Sequence, residues 1–144
     1  MSIEIRRAQS AEDIDQCFAL RVEVFVGEQG FPQDTELDQH DPGADHFMAV
    51  DLTTGRVIGT ARLLKEAESI GRIGRLAISQ DMREQGYGRD LMWYVMGWGF
   101  RKYSELHVNA QLGVIPFYQK LGFETTGQIF IEEGMPHQLM VQYR

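Results

Sequence analysis

The stretch QDMREQGYGRDLM, residues 80–92, holds residue types that could bind a phosphate where a helix begins. Gly86 and Gly88 fall at the start of a helical pattern, although glycine costs a helix about 1 kcal/mol relative to alanine. Glycine has no Cβ, so the backbone can approach a ligand closely, and the unpaired N–H groups of a helix N-terminus attract anions. Arg83 and Arg89 add positive charge. These residues alone leave two interpretations open: an ordinary loop, or a cradle for a phosphorylated ligand.

The composition is that of a soluble protein with a single domain. The chain has 144 residues, of which 43% are hydrophobic and 24% charged, and we predict one domain over residues 1–144. The net charge of -7 argues against nucleic-acid binding. The longest apolar stretch, residues 91–100, is much shorter than the ~20 residues of a membrane span. A lone cysteine, Cys17, excludes a cysteine-rich metal site, and with an N-terminus that lacks a signal-peptide pattern it favours a cytoplasmic protein.

The hydrophobic pattern predicts the order strand, helix, three strands, helix, strand, helix and two strands. Residues 3–9 alternate like a strand, and Ser10 with Asp13 resembles the capping box of a helix that ends near residues 27–30. The apolar face of that helix is predicted to comprise Ile14, Phe18, Val22 and Phe25. Further strands are predicted at residues 46–52, 56–64, 69–79, 105–111, 123–133 and 137–143, and further helices up to about Tyr103 and over 113–122. Such an order indicates a mixed α/β layer fold.

Several motifs in this order resemble those of the GNAT acetyltransferases. The spacing Arg83-x-x-Gly86-x-Gly88, between a hydrophobic strand and a helix, is similar to their coenzyme A pyrophosphate loop. NAQLGVIPFYQKLGF (109–123) is similar to their second signature. VFVGEQGFPQDTELD (24–38) and EEGMPHQLM (132–140) resemble the small bacterial ElaA-like branch. The resemblance implies a single-domain GNAT fold, an α/β (α+β) structure whose central mixed, mostly antiparallel sheet is flanked by helices and splayed open where coenzyme A enters.

The same resemblance implies acetyl-CoA as the cosubstrate. We expect no metal, because the spacing of His40, Asp41, Asp45 and His46 matches no standard metal site. The main chain of Leu76, Ala77 and Ile78 would pair with the pantetheine arm. Asn109 would lie beside the pantetheine where two strands diverge, and the next helix would contribute Phe117 and Tyr118 to the cosubstrate site. The amides that would hold the pyrophosphate are those of Arg83, Glu84, Gln85, Gly86, Tyr87, Gly88 and Arg89.

In this family an acetyl group passes directly from acetyl-CoA to an acceptor, usually an amine. Tyr118 occupies the position of the acid that would protonate the departing thiolate, and packing of the short helix is its alternative role. A main-chain N–H near Ile78 would stabilise the oxyanion. The base that deprotonates the amine stays open between His137, whose side chain can accept a proton near neutral pH, and several carboxylates. We place His137 and Glu36 at the site; the competing carboxylates are Glu28, Asp38, Asp41 and Glu133.

The resemblance implies that the acceptor is an amine of a small molecule or a protein, and the charge pattern favours one type of amine. Residues 28–45 carry six acids and no lysine or arginine, which favours a cationic amine. The alternative is a solvated loop rich in aspartate because aspartate suits turns. We expect no nucleic-acid or membrane partner, and a monomer or a homodimer.

Two other functions compete with amine acetylation. The pattern R-x-x-x-F…E-x-D-x-x-D, which begins at Arg21 and ends at Asp41, also resembles the N-terminal part of acyl-homoserine lactone synthases. A non-catalytic acyl-CoA sensor would keep the pyrophosphate loop but would not need a catalytic tyrosine. A lactone assay with S-adenosylmethionine separates the first alternative from amine acetylation, and a turnover assay separates the second.

Overall fold

A seven-stranded mixed sheet forms the centre of the part of the chain that the computed structural model describes, residues 2–32 and 38–144. The strands lie in the order β1-β2-β3-β4-β5-β7-β6, and every neighbouring pair is antiparallel except β4 and β5. The predicted fold class is confirmed. The strands are β1 (Ile3–Arg7), β2 (Asp45–Asp51), β3 (Arg56–Ala67), β4 (Ile70–Ile78), β5 (Glu105–Gln111), β6 (Glu124–Glu132) and β7 (Met135–Tyr143).

Three α-helices flank this sheet in the described residues. Helix α1 (Ala11–Arg21) begins with the predicted capping box between Ser10 and Asp13, and it continues as a π-helix, Val22–Glu28. Helices α2 (Tyr87–Lys102) and α3 (Ile115–Lys120) follow β4 and β5 respectively, and α3 is preceded by a 3-10 turn. Across the described ranges, no helix combines the length and the apolar character needed to cross a membrane.

The core lies on both faces of the sheet. Apolar side chains of α2 and β5, such as Leu91, Val95 and Leu106, are fully buried in the larger cluster. A smaller cluster under α1 contains Cys17 and Leu20. The predicted face of α1 is therefore rotated: the residues with little exposure are Cys17, Leu20, Arg21 and Val24, while Ile14, Phe18, Val22 and Phe25 are only half-buried.

The sheet opens between its two parallel strands. β4 and β5 pair only where residues 70–72 meet residues 105–107, whereas β4 stays paired with β3 as far as Ile78. The edges of residues 73–78 and 108–111 that face each other therefore lack a strand partner. This divergence is the splay that the resemblance implied.

A β-bulge interrupts β4 at the beginning of the opening. The register with β3 shifts between Thr60 and Arg62, and Arg75 has a φ of 53°, in the left-handed region. Ile73 and Leu76 consequently both pack with the larger cluster, although regular alternation would place them on opposite faces. Gly74 and Arg75 both line the opening.

Candidate active site

A cleft of about 1080 Å³ fills the opening between β4 and β5. Its lining includes Leu76 of β4, Asn109 of β5, Phe117 and Tyr118 of α3 and His137 of β7. These five residues, which are distant in sequence, were all predicted to belong to the site. The described part of the chain brings together no group of three or more His, Cys, Asp or Glu side chains that could hold a metal ion.

Some main-chain N–H and C=O groups of β4 point into the opening and not toward β3. Ser79 donates its N–H to the carbonyl oxygen of Ile58 at 2.8 Å, and Ala77 pairs with Thr60. Because antiparallel hydrogen bonds alternate along a strand, the N–H and C=O groups of Ile78 point away from β3, toward the opening. A ligand that enters beside β4 therefore meets the N–H of Ile78, whereas the carbonyl oxygen of Ile78 already accepts a hydrogen bond from Arg83.

Residues 86–89 present free backbone donors at the start of α2. Within the described ranges, the main-chain N–H groups of these four residues donate no hydrogen bond to the protein, whereas residues 80–84 before them form a 3-10 turn and a hydrogen-bonded turn. Gly86 is the N-cap residue with a φ of 89°, and Glu84 also has a positive φ, 64°. Left-handed residues next to a helix N-terminus direct amides into an anion-binding concavity. The predicted pyrophosphate loop thus has the donors that the role requires.

The two arginines of this loop make contacts of their own. Arg83 donates its Nε–H to the carbonyl oxygen of Ile78 at 2.9 Å, and its Nη2 lies 2.8 Å from an oxygen of Glu28. The Arg89 guanidinium lies over the ring of Trp93, 5.3 Å from its centroid. Glu28, one candidate base, is therefore ion-paired to Arg83 of the predicted pyrophosphate loop and does not line the cleft.

Tyr118 combines a packed ring with a free hydroxyl. Its ring makes edge contacts with Phe117 and Phe123, with centroids 5.1 and 6.0 Å away. Its hydroxyl has no hydrogen bond to any described residue. Burial raises the pKa of Tyr118 to about 12, so the hydroxyl keeps its proton at neutral pH. A group in this state can donate a proton and cannot serve as a base.

One ring nitrogen of His137, Nδ1, is fixed by a hydrogen bond to the main chain, and the other, Nε2, is available to accept a proton. Its Nδ1 lies 2.8 Å from the carbonyl oxygen of Met135, which can only accept, so Nδ1 carries the proton in the neutral ring. The unprotonated Nε2 lies 3.6 Å from an oxygen of Glu132. The ring also stacks on Phe130 at 5.8 Å. His137 thus has both the fixed tautomer and the position of a candidate base.

Two of the acids in the predicted cationic-amine loop form internal ion pairs. Asp41 is buried and accepts hydrogen bonds from Arg21 at 2.7 Å and from Arg62 at 3.0 Å. Asp38 accepts from Arg62 at 2.7 Å and from Arg75 at 3.1 Å. Burial alone would raise the pKa of both carboxyls, but the hydrogen bonds and charges of the arginines outweigh it and lower both pKa values.

This ion-pair network revises the interpretation of the acidic loop. Asp41 is a structural anion and not a solvated loop residue, and Asp38 is held at the edge of the cleft. Arg62 and Arg75 were not identified from the sequence, because nothing in their local pattern indicates that they meet the loop. Glu36 lies outside the described residues. Glu133 lines the cleft at the turn between β6 and β7, with a φ of 51°.

His46 makes the folded state sensitive to mild acid. Its Nε2 lies 3.0 Å from the carbonyl oxygen of Asp41, and its buried Nδ1 has no partner. Burial lowers the pKa of His46, and the Asp41 carbonyl offsets this only in part. Below the unfolded-state pKa of about 6.5, His46 is protonated in the unfolded chain but stays neutral in the folded chain. Stability therefore falls as the pH falls from about 6.5 toward the folded pKa.

We expect His46→Gln, which can keep the donor to Asp41, to flatten this dependence. The free energy of unfolding of the parent protein should fall by at most about 1.4 kcal/mol per pH unit from this group, between about pH 6.5 and pH 5. Urea unfolding at several pH values measures the slope. An equally steep slope in the variant would show that His46 is not its source.

Comparisons with known proteins agree with this arrangement. Residues 10–143 match the family model described as the acetyltransferase (GNAT) domain. A UPF0039 protein of Mycobacterium tuberculosis is 34% identical over an alignment of 149 positions, which covers 96% of this chain and 93% of that protein. The crystal structure of Escherichia coli ElaA has a TM-score of 0.86 at 24% identity and covers 98% of this chain and 99% of its own.

A further solved structure contains the expected cosubstrate. A GNAT family acetyltransferase from Elizabethkingia anophelis with acetyl-CoA bound has a TM-score of 0.77 at 20% identity. It covers 99% of this chain and 98% of its own. At this identity the likeness concerns the fold, which in that protein accommodates acetyl-CoA.

Proposed function

This chain belongs to the GNAT acetyltransferase family, and from that membership we propose that it transfers the acetyl group of acetyl-CoA directly to a primary amine. The observation that carries the proposal is the divergence of β4 and β5. It leaves the edge of residues 73–78 without a strand partner, in the cleft that Tyr118 also lines and one loop before the free amides of residues 86–89.

The residues present fit acetyl-CoA along its length. The amides of residues 83–89 would hold the pyrophosphate, as helix N-termini do in general. The edge of β4 at Leu76, Ala77 and Ile78 would pair with the pantetheine, with Asn109 of β5 on the opposite side. Acetyl-CoA supplies an activated acetyl thioester, so the chain needs to provide binding, orientation and proton transfer.

Three groups would share the chemistry. His137 Nε2, directly or through water, would take the proton that the attacking amine loses. The N–H of Ile78 would stabilise the negative charge that develops on the thioester oxygen. Tyr118 would give its proton to the sulfur as the C–S bond breaks and the N–C bond forms. One proton leaves the nitrogen and one reaches the sulfur, so the transfer is balanced.

Glu36 and Glu133 stay alternative bases in this proposal. Glu36 lies outside the described residues, and the Glu133 carboxylate lines the same cleft as His137. Asp38 and Asp41 are weaker candidates, because arginines hold both as anions in ion pairs. A carboxylate with a lowered pKa is a poor acceptor of a proton at neutral pH.

The test is acetyl transfer to a broad panel of amines, measured as release of the free thiol and as the mass of the acetylated acceptor. We expect thiol release only when an amine is present, and no acetylated protein after incubation with acetyl-CoA alone. Binding of acetyl-CoA without turnover of any amine would instead support the sensor. A lactone formed from S-adenosylmethionine would support the synthase, although the buried Arg21–Asp41 pair already gives part of that pattern a structural role.

A further inference from the structure

Gln111, the last residue of β5, presents a free carboxamide to the cleft. It lines the cleft together with Asn109, and both residues are half-buried. Gln111 also precedes the 3-10 turn Leu112–Val114, but its side chain makes no capping hydrogen bond there. Among residues 2–32 and 38–144, the carboxamide has no other hydrogen-bond partner. Its carbonyl oxygen and its amide nitrogen are therefore available to a ligand.

The register of the sheet places Gln111 beside His137. The two residues are cross-strand partners in the antiparallel pair of β5 and β7, so their Cβ atoms lie about 4.5–5.5 Å apart on one face of the sheet. Phe130 of β6 is the partner of His137 on its other side, and it stacks on the imidazole ring with centroids 5.8 Å apart. His137 therefore lies between Phe130 and Gln111.

The strand order places Gln111 between His137 and the opening. β5 borders the opening, and β7 lies one strand spacing further away, about 4.8 Å. Residues 70–72 of β4 pair with residues 105–107 of β5. This register, continued along the diverging strands, brings Gln111 level with the part of β4 around Leu76. A group that enters the opening beside β4 therefore reaches Gln111 before it reaches His137.

Gln111 is a neutral hydrogen-bond acceptor in a position where a charged acceptor would be unfavourable. An attacking amine must be uncharged, and a carboxylate in contact with it would stabilise its ammonium form. The carbonyl oxygen of a carboxamide accepts a hydrogen bond from an amine without adding a negative charge. The carboxylates that face His137 are those of Glu132, 3.6 Å from Nε2, and Glu133, where β6 meets its turn, whereas β5 contributes only neutral side chains to the cleft.

We propose that the side-chain carbonyl oxygen of Gln111 accepts a hydrogen bond from the acceptor amine and holds its nitrogen at the thioester. This inference rests on the proposed function, because it adds an acceptor-binding residue to the same cleft. As the N–C bond forms, the nitrogen of a primary amine carries two hydrogens. One stays on the nitrogen and bonds to Oε1 of Gln111, and the other leaves to Nε2 of His137, directly or through water. The C–S bond breaks as Tyr118 protonates the sulfur, so the transfer stays balanced.

Binding of a minimal amine tests this contact without turnover. Protein labelled with 15N and saturated with coenzyme A is titrated with ethylamine near neutral pH, and the side-chain NH2 signals of Gln111 and Gln128 are followed by NMR. Gln128 is the control, because it is exposed in the edge strand β6 and does not line the cleft. We expect the Gln111 signals to shift saturably with the ethylamine concentration, and the Gln128 signals to stay fixed. Gln111 signals that also stay fixed would overturn the proposal.

Gln111→Leu tests the same contact during turnover, with ethylamine and the most active amine of the panel as acceptors. The substitution keeps the approximate size of the side chain and removes both of its polar groups. We expect kcat/KM for the amine to fall at least 10-fold, which corresponds to about 1.4 kcal/mol. The affinity for acetyl-CoA, and the turnover of the control variant Gln128→Leu, should stay within a factor of about two. A Gln111→Leu variant as active as the parent protein would overturn the proposal.

Gln111→Glu distinguishes a contact with the amine from a structural role. The substitution keeps the length and one acceptor oxygen but adds a negative charge, which stabilises both the ammonium form of the acceptor and the imidazolium form of His137. Both groups then lose their protons at a higher pH. We therefore expect the profile of kcat/KM against pH to shift upward by about 1 unit or more, with activity recovered as the pH is raised. A profile that is lowered but not shifted would show that Gln111 acts only through the structure and would overturn the proposal.

The outcomes separate this contact from the proposed function. Amine turnover that is insensitive to Gln111→Leu would remove Gln111 from the acceptor site and leave the proposed function standing. A saturable shift of the Gln111 signals by ethylamine, without acetyl transfer to any amine, would support the role of Gln111 and contradict the proposed function.

Discussion

Replacing Tyr118 with phenylalanine is expected to lower kcat for acetyl transfer about 100-fold, the low end of the effect typical of general acid catalysis. The affinity for acetyl-CoA and the fold should be unchanged, because the hydroxyl bonds to no described residue and the ring contacts with Phe117 and Phe123 remain. Since the pKa of Tyr118 is raised to about 12, we also expect no loss of activity from ionisation of Tyr118 below about pH 10.

A matched substitution shows whether the loss is specific. Tyr94 of α2 packs against Phe47 with ring centroids 6.0 Å apart and does not line the cleft. Tyr94→Phe therefore removes the same atom away from the proposed chemistry, and its kcat should stay within a factor of about two. If Tyr118→Phe turned over as fast as the parent enzyme, Tyr118 would be a packing residue and another group would protonate the thiolate.

Gly86→Val is expected to raise the Kd for acetyl-CoA by 10- to 100-fold, which corresponds to about 1.4–2.8 kcal/mol. The added side chain would sit in the loop of free amides and prevent their close approach to a phosphate. A Cβ at Gly86 would also lie 2.9 Å from Nη2 of Arg89, which would have to move. Calorimetric titration with acetyl-CoA measures the change.

The conformation of Gly86 requires a control for stability. Its φ of 89° is strained for any residue with a Cβ, so Gly86→Val should also cost about 1–2 kcal/mol of stability. Gly127 in the edge strand β6 has a φ of 74° and open space around it, and it does not line the cleft. Gly127→Val carries similar strain and should leave acetyl-CoA affinity unchanged; equal losses of affinity in both variants would point to instability instead.

The order of the elements was predictable because local signals and tertiary structure agree. Ser10 and Asp13 form the capping box that their spacing indicates, and Pro116 lies in the first turn of α3, where proline is tolerated. Among the boundaries that differ from the prediction, β3 continues to Ala67 instead of residue 64, and the last turn is shorter than expected. Met135 and Pro136 belong to β7, so the turn falls at Glu133 and Gly134.

The pyrophosphate loop was predictable for a different reason. Glycines at fixed spacing between a strand and a helix indicate backbone conformations that other residues rarely adopt. Gly86, with its positive φ, has such a conformation. Glycines inside a strand pattern are typical of bulges, and the bulge of β4 lies at Arg75, directly after Gly74, so the pattern indicated its neighbourhood but not the residue with the positive φ. No sequence pattern distinguishes the π-helix Val22–Glu28 from an ordinary α-helix, so only the end of the helix, near residues 27–30, was predicted correctly.

The acceptor side of the cleft depends on contacts that no local pattern encodes. Arg21, Asp41 and Arg62 come from a helix, a turn and a strand, and they meet only because the chain folds across the sheet. A sequence shows an acidic loop and scattered arginines, and it does not show which charges cancel. The unpaired Nε of Arg62 is a property of the assembled network, so it could be recognised only in three dimensions.

The most direct test of the whole account is a calorimetric titration of the folded protein with acetyl-CoA, with S-adenosylmethionine as the comparison. We expect saturable binding of one acetyl-CoA per chain, competition by coenzyme A, and much weaker binding of S-adenosylmethionine. No binding of acetyl-CoA to a demonstrably folded sample would contradict it, because residues 83–89 would then be an ordinary loop and the opening between β4 and β5 would serve another ligand.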